Sequence, residues 1–222
     1  MKYLVFAGII PVFTLLLELF LLAYIPVDFL SSFQNFILLI YIVPLLVFSI
    51  PIGSMLYSLK SELLYREKSY SGVVTEAVFN SLNLIAVSIV GGIVSLIPVI
   101  SPIYPLALAA TSISGYNAIE AFAEAVIRMR RWRRFLMQSY RIYLLLVSTL
   151  VLAYLAGFVM SPLQKPLLMA LVSSLAMVLV VRDIYRISKQ YILYGLKYCV
   201  YCENPNPMEA IYCAECGFRL KK

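Results

Sequence analysis

Four cysteines crowd into the last 24 residues, as Cys199-Val-Tyr-Cys202 and, after ten intervening residues, Cys213-Ala-Glu-Cys216-Gly217. Two C-x-x-C knuckles supply four thiolates at the corners of a tetrahedron, the arrangement zinc prefers in a closed structural site. A tail this short cannot build an apolar core, so a metal staple is what would let it fold. If the tail is cytosolic the thiols stay reduced, which disfavours a two-disulfide reading. The expected cofactor is one structural Zn2+ on Cys199, Cys202, Cys213 and Cys216.

The segment from Tyr198 to Leu220, YCVYCENPNPMEAIYCAECGFRL, resembles the short zinc ribbons appended to many prokaryotic multi-pass membrane proteins. Their pattern is C-x-x-C-G, an Asn-Pro turn, an aromatic residue, then C-x-x-C-G, and this chain departs from it at Glu203, where the ribbons carry the knuckle glycine. Rubredoxin also pairs C-x-x-C knuckles, but over a much longer spacer, which makes redox iron the lesser reading. The resemblance implies structure and partner docking rather than catalysis. Nucleic acid is not an expected partner: Lys197, Arg219, Lys221 and Lys222 are offset by Glu203, Glu209 and Glu215, and Tyr198, Tyr201, Tyr212 and Phe218 fit a miniature core.

A second set of polar residues lies inside apolar sequence. Glu76, Asn80 and Asn83 share one helical face, and Asn117, Glu120 and Glu124 share another that runs the opposite way. In an antiparallel pair joined by the short Ser101 to Pro105 connection the two stripes lie at matching depth, so three carboxylates and three amides are expected to converge, with Arg128 as the nearest partner for Glu124. Charge in hydrocarbon is costly, so the side chains should face the protein interior or a wet cavity. They would form either an ion or proton site or a hydrogen-bonded seam between helices. Glu18, toward the outer end of the first apolar segment, is a further buried-charge candidate.

A third set is basic. Arg128, Arg130, Arg131, Arg133 and Arg134 surround Trp132, an expected interfacial surface for anionic lipid headgroups at about 1 kcal/mol per arginine, with Met129, Trp132 and Leu136 on one helical side. Beyond the last apolar segment, Ile184, Ile187, Tyr191 and Tyr194 make a stripe opposite Arg182, Arg186 and Lys189. That pattern reads as a juxtamembrane amphipathic helix over 182–198.

The elements that would position these groups follow from composition. Of 222 residues, 63% are hydrophobic and 13% charged, and the mean hydropathy is +0.92, so a soluble globule is excluded and lipid must solvate much of the chain. Six apolar segments stand out: Tyr3 to Ile25, Phe36 to Ser58, Val73 to Ile97, Leu106 to Ile127, Ile142 to Met160 and Leu167 to Val181. The expected fold is an all-α integral membrane protein with six transmembrane helices over 1–181, the juxtamembrane helix, and a zinc ribbon over 199–222. Kinks are expected at Pro11, at Pro44 and Pro51, and around Gly91, Gly92 and Pro98. Lys60, Arg66, Lys68, the arginine cluster and Arg182, Arg186, Lys189 and Lys197 fall in alternate connections, which puts both termini in the cytosol of a cell-membrane protein. The arrangement of the third and fourth segments resembles uncharacterised families related to the membrane domain of glycerophosphodiester phosphodiesterases, and no activity is carried over from it.

Catalysis is the least favoured class. The chain has no histidine, and Asp28 and Asp183 are its only aspartates, so paired-aspartate proteases and aspartate-rich lipid phosphotransferases find no site. Two expectations remain: a non-enzymatic anchor or assembly subunit, homo- or hetero-oligomeric, docking an unidentified protein partner; or an ion or small-solute channel or transporter through the polar residues of the third and fourth segments.

Overall fold

The computed structural model describes residues 2–25, 29, 32–64, 70–159, 164–208 and 210–220. Asp28, Arg66, Lys68, Glu209, Lys221, Lys222 and residues 160–163 lie outside the described residues. The chain is mostly helical: α1 (Lys2–Tyr24), α2 (Phe33–Ile37), a π-helical stretch (Leu38–Ile42), α3 (Val43–Val47), α4 (Ser49–Leu64), α5 (Tyr70–Phe79), α6 (Ser81–Ser95), α7 (Ile103–Ser114), α8 (Ala118–Arg131), α9 (Arg133–Ala156) and α10 (Gln164–Tyr194). A two-stranded antiparallel sheet, β1 (Leu196–Tyr198) with β2 (Pro205–Pro207), follows in the tail.

Two helices are long and apolar enough to cross a membrane, Arg133–Ala156 and Leu167–Tyr194; Phe33–Val47 with Ser49–Leu63, and Ser71–Phe79 with Ser81–Ser95, raise the number to four if each bent pair is one span. Their outward faces are apolar, as Leu144, Leu152 and Leu155 on α9 and Leu171 and Leu175 on α10 illustrate, the distribution hydrocarbon solvates and water does not. Some helix hydroxyls bond back within their own segment, Thr14 on α1 to the Ile10 carbonyl and Thr149 on α9 to that of Leu145.

Three expectations about the segments differ from the structure. The stretch read as one third helix, kinked around Gly91, Gly92 and Pro98, instead bends by 67° between α5 and α6, at Asn80, whose φ of −95° and ψ of 14° end one helix and begin the next. The fourth is also two helices. Gly115 adopts a φ of 74° and closes α7, and Asn117 caps α8 with Glu120 completing the capping box. At 12 residues α7 extends about 18 Å, against about 30 Å of hydrocarbon. Finally, no break separates the last apolar segment from the amphipathic stretch. With no proline or glycine between Leu167 and Tyr194, α10 runs on to Gly195.

The expected kink around Pro44 and Pro51 corresponds to the 46° bend at Phe48. Gly91 and Gly92, by contrast, lie inside an unbroken α6. Gly91 serves packing instead: a Cβ there would stand 2.2 Å from the Tyr104 ring.

The core sits around α7, every residue of which from Tyr104 to Ile113 is buried. It is enclosed by α4, α6, α8 and α10, while α1 lies along α10. Tyr143 from α9 and Tyr191 from α10 reach the same interior. Some interior polar groups pair across helices, as where the Tyr41 hydroxyl meets Ser95 at 2.8 Å, while the Tyr104 and Tyr143 hydroxyls find no hydrogen-bond partner among the described residues, so close packing carries most of the bundle's cohesion.

Candidate metal centre

The tail is built from two knuckles of the same design. In the first, Glu203 donates its backbone N–H to the Cys199 carbonyl at 2.9 Å and Cys199 donates to Asn204 at 3.1 Å; in the second, Gly217 donates to Cys213 at 3.0 Å and Cys213 to Phe218 at 2.8 Å. Both turns need a left-handed residue, Glu203 at φ 56° and Gly217 at φ 68°. Asn206 stitches them together. Fully buried, it donates to the Asn204 carbonyl at 2.7 Å and accepts from the Ala214 N–H at 2.9 Å.

The result brings the four thiols to a point. All four Sγ atoms lie within 4.8 Å of one another, with Cys199 3.6 Å from Cys216 and Cys202 3.5 Å from Cys213. These separations exceed the ~2.05 Å of a disulfide and match the edge of about 3.8 Å that a tetrahedron with ~2.3 Å metal–sulfur bonds requires. The four cysteines could therefore hold a metal ion. The Cys216 backbone N–H aimed at Cys213 draws its thiol down to about 6, and the Cys202 N–H likewise lowers Cys199, while the neighbouring thiols push Cys202 and Cys216 up.

Arg128 fixes this module to the helices. It was expected on the lipid-facing surface, yet it is 2% exposed. Its Nε donates to Glu124 at 2.8 Å, the expected partner, and its Nη2 donates to the Gly195 carbonyl at 2.6 Å, immediately before β1. The guanidinium also lies over the rings of Trp132 and Tyr191, and Tyr191 reaches the Ser114 hydroxyl at 3.0 Å. Ala121, Ala125 and Arg128 share one face of α8 and all three are buried; the spacing marks a common face but not the Gly195 partner. Arg130, Arg131, Arg133 and Arg134 are exposed, while Trp132 is half-buried against the core.

The six polar residues of the third and fourth segments do not gather into one seam. Asn80 is the centre of one group: its Nδ2 donates to the Tyr57 hydroxyl at 3.0 Å and to the Thr111 carbonyl at 3.4 Å, and its Oδ1 accepts from Asn83 at 2.7 Å. Glu76 lies one turn earlier on α5, half-buried. Asn117 and Glu120 bond each other's backbone as a helix cap and are exposed, and Glu124 belongs to Arg128. Tyr57 and Thr111, which complete the Asn80 group, carried no polar pattern in the sequence. Glu18 is fully buried on α1, with neither carboxyl oxygen hydrogen-bonded among the described residues. In α10 the stripe Ile184, Ile187 and Tyr191 is buried in the bundle and only Tyr194 of the four is exposed. No family model, curated protein or solved structure matches the chain, so the four-thiol geometry and its attachment to the helices are what define the site.

Proposed function

We propose that the chain is a multi-pass membrane anchor whose cytosolic zinc ribbon, held in a fixed pose on the helical bundle, docks a protein partner. The observation that carries this is the Arg128–Gly195 bond: a buried guanidinium spans α8, the end of α10 and the first residue before β1, which a flexibly tethered module would not need. The ribbon's outer surface supports the docking half. Tyr201 and Phe218 stack with ring centroids 5.9 Å apart, yet Tyr201 is 78% exposed and Val200 82%, an aromatic and apolar patch too large for the module's own core.

Contacts that converge at the basic end support placing the C-terminal side of the bundle there, and the N-terminus is assigned to the same side from the distribution of Lys and Arg. Tyr57, Asn80 and Thr111 meet there, as do Ser114 and Tyr191, and Arg128 and Gly195. The Asn80–Thr111 contact keeps the start of α6 beside the end of α7, which fits the proposal that the pair leaves and returns on one side of the bilayer.

Zinc is the metal proposed for the thiols. Elemental analysis after metal-free purification should give about one zinc per chain; less than half an equivalent, or mostly iron, would sink the zinc assignment. The docking role is tested by purifying the native complex from the wild type and from Tyr201→Ala/Phe218→Ala. The variant should keep its zinc and lose the co-purifying protein. A partner retained at wild-type level by the variant contradicts the reading.

A further inference from the structure

Between α9 and α10 lies a cavity of about 240 Å³ lined by Gln138, Arg141, Ile142, Arg182, Asp183 and Arg186. We propose that this cavity is a discrete phosphate-binding site, built for the phosphate of an anionic lipid headgroup. It is separate from the arginine cluster around Trp132 and independent of the ribbon.

The charge is the first argument. Three guanidiniums face one carboxylate, a net of about +2 that suits a phosphate and repels a cation. The second is that the site is built rather than incidental. Asp183 is completely buried; its Oδ1 accepts from Ser139 at 2.9 Å and pairs with Arg186 Nη2 at 3.0 Å. Arg186 also donates to Ser139 at 2.6 Å and to Gln138, and its guanidinium lies over Phe135. Asp183 thus fixes Arg186 in place, while Arg186 Nε is buried with no acceptor among the described residues.

Arg141 and Arg182 complete the argument. One comes from each helix, both are exposed, and neither makes a hydrogen bond or ion pair among the described residues. Two forks without hydrogen-bond partners among the described residues, at the rim of a cavity whose third arginine is preset, offer bidentate recognition of phosphate oxygens. The space equals roughly eight waters at ~30 Å³ each, enough for a phosphate and its ester.

The source follows from position. The cavity lies at the charged ends of two candidate spans. One to four turns farther along the same helices, Leu144, Leu145 and Leu152 on α9 and Leu171, Leu175 and Val178 on α10 face outward. A lipid whose phosphate enters the cavity would lay its acyl chains on that surface.

The test uses the full chain in detergent, exchanged into phosphatidylglycerol/phosphatidylcholine or pure phosphatidylcholine micelles, with native mass spectrometry and thermal unfolding as readouts. The expected result is one phosphatidylglycerol retained per chain with a raised Tm, and at least tenfold weaker retention in Arg141→Gln/Arg182→Gln. Arg130→Gln/Arg133→Gln, which leaves the cavity intact, should retain the lipid as wild type does. Inorganic phosphate forms the second arm: protection by it alone, lost in the same double variant, supports the phosphate site while assigning it to a free anion. Retention unchanged in Arg141→Gln/Arg182→Gln, equal loss in Arg130→Gln/Arg133→Gln, or stabilisation by Mg2+ in place of phosphate would each overturn the proposal.

Discussion

Glu203 stands at a φ of 56°, in a turn whose twin places Gly217 at 68°. A side chain in left-handed backbone costs about 1–2 kcal/mol, while a glycine gives back roughly 0.5–1 kcal/mol through the entropy it loses on folding. Glu203→Gly should therefore strengthen metal binding by the folded ribbon about threefold, and Gly217→Ala, the same balance reversed, should weaken it by a similar factor. Competition against a chromophoric chelator at pH 7 measures both. A weaker Glu203→Gly site would mean that the Glu203 side chain makes a contribution larger than the strain. Both affinities should fall together as the pH is lowered, because protons compete with the metal for the thiolates. At this scale the sequence was highly legible: a metal ligand set is local, so spacing alone specifies it, and even the departure from glycine at Glu203 marks the residue that carries the strain. Arg128 was not legible in the same way. Its role is set by Gly195, 67 residues away, and no local pattern announces such a partner.

Among the elements, the apolar segments translated into helices, but their breaks did not all fall where proline and glycine suggested. Asn117 and Glu120 show why. Read at helical spacing they form part of a stripe; read with Gly115 they form a stop followed by a capping box, and the second reading is the one the backbone adopts. In lipid a polar residue within an apolar run suggests a buried face, but here the glycine stop and the cap decide the backbone. The bend at Asn80 was harder to foresee, since Tyr57 and Thr111, which take its amide hydrogens, come from two other helices. The consequence is testable in a pair of variants. Asn117→Ala removes the cap and should cost about 1 kcal/mol, read as a lower Tm of the purified protein. Glu120→Gln keeps the reciprocal bond, because glutamine serves equally at that position, and should unfold within a degree or two of wild type. A large loss of stability in Glu120→Gln would show that its charge, not its hydrogen-bonding capacity, is what the helix start requires.

The whole molecule joins two separate cores. One is the helical bundle, which takes in Leu196 at its edge; the other is a small cluster of Cys199, Cys213 and Leu220 in the ribbon. Between them runs a narrow connection in which Trp132 packs against Gly195, where a Cβ would come within 3.1 Å of its ring, and Arg128 bridges Glu124 to the Gly195 carbonyl. Because the ribbon's core is independent, loosening this connection should change where the ribbon points without unfolding it. Arg128→Met keeps much of the side-chain volume and stacking on Trp132 while deleting the charge and both hydrogen bonds; breaking a buried ion pair this way costs up to about 3–5 kcal/mol, less here because Glu124 retains some solvent. The expected outcome is full metal content together with faster amide exchange at Leu196 to Tyr198. Spin labels on the ribbon and on α9 should also give a broader distance distribution. A distribution as narrow as that of wild type would mean that the continuous α10 to β1 backbone alone sets the pose, and the anchor reading would then lose the observation on which it stands.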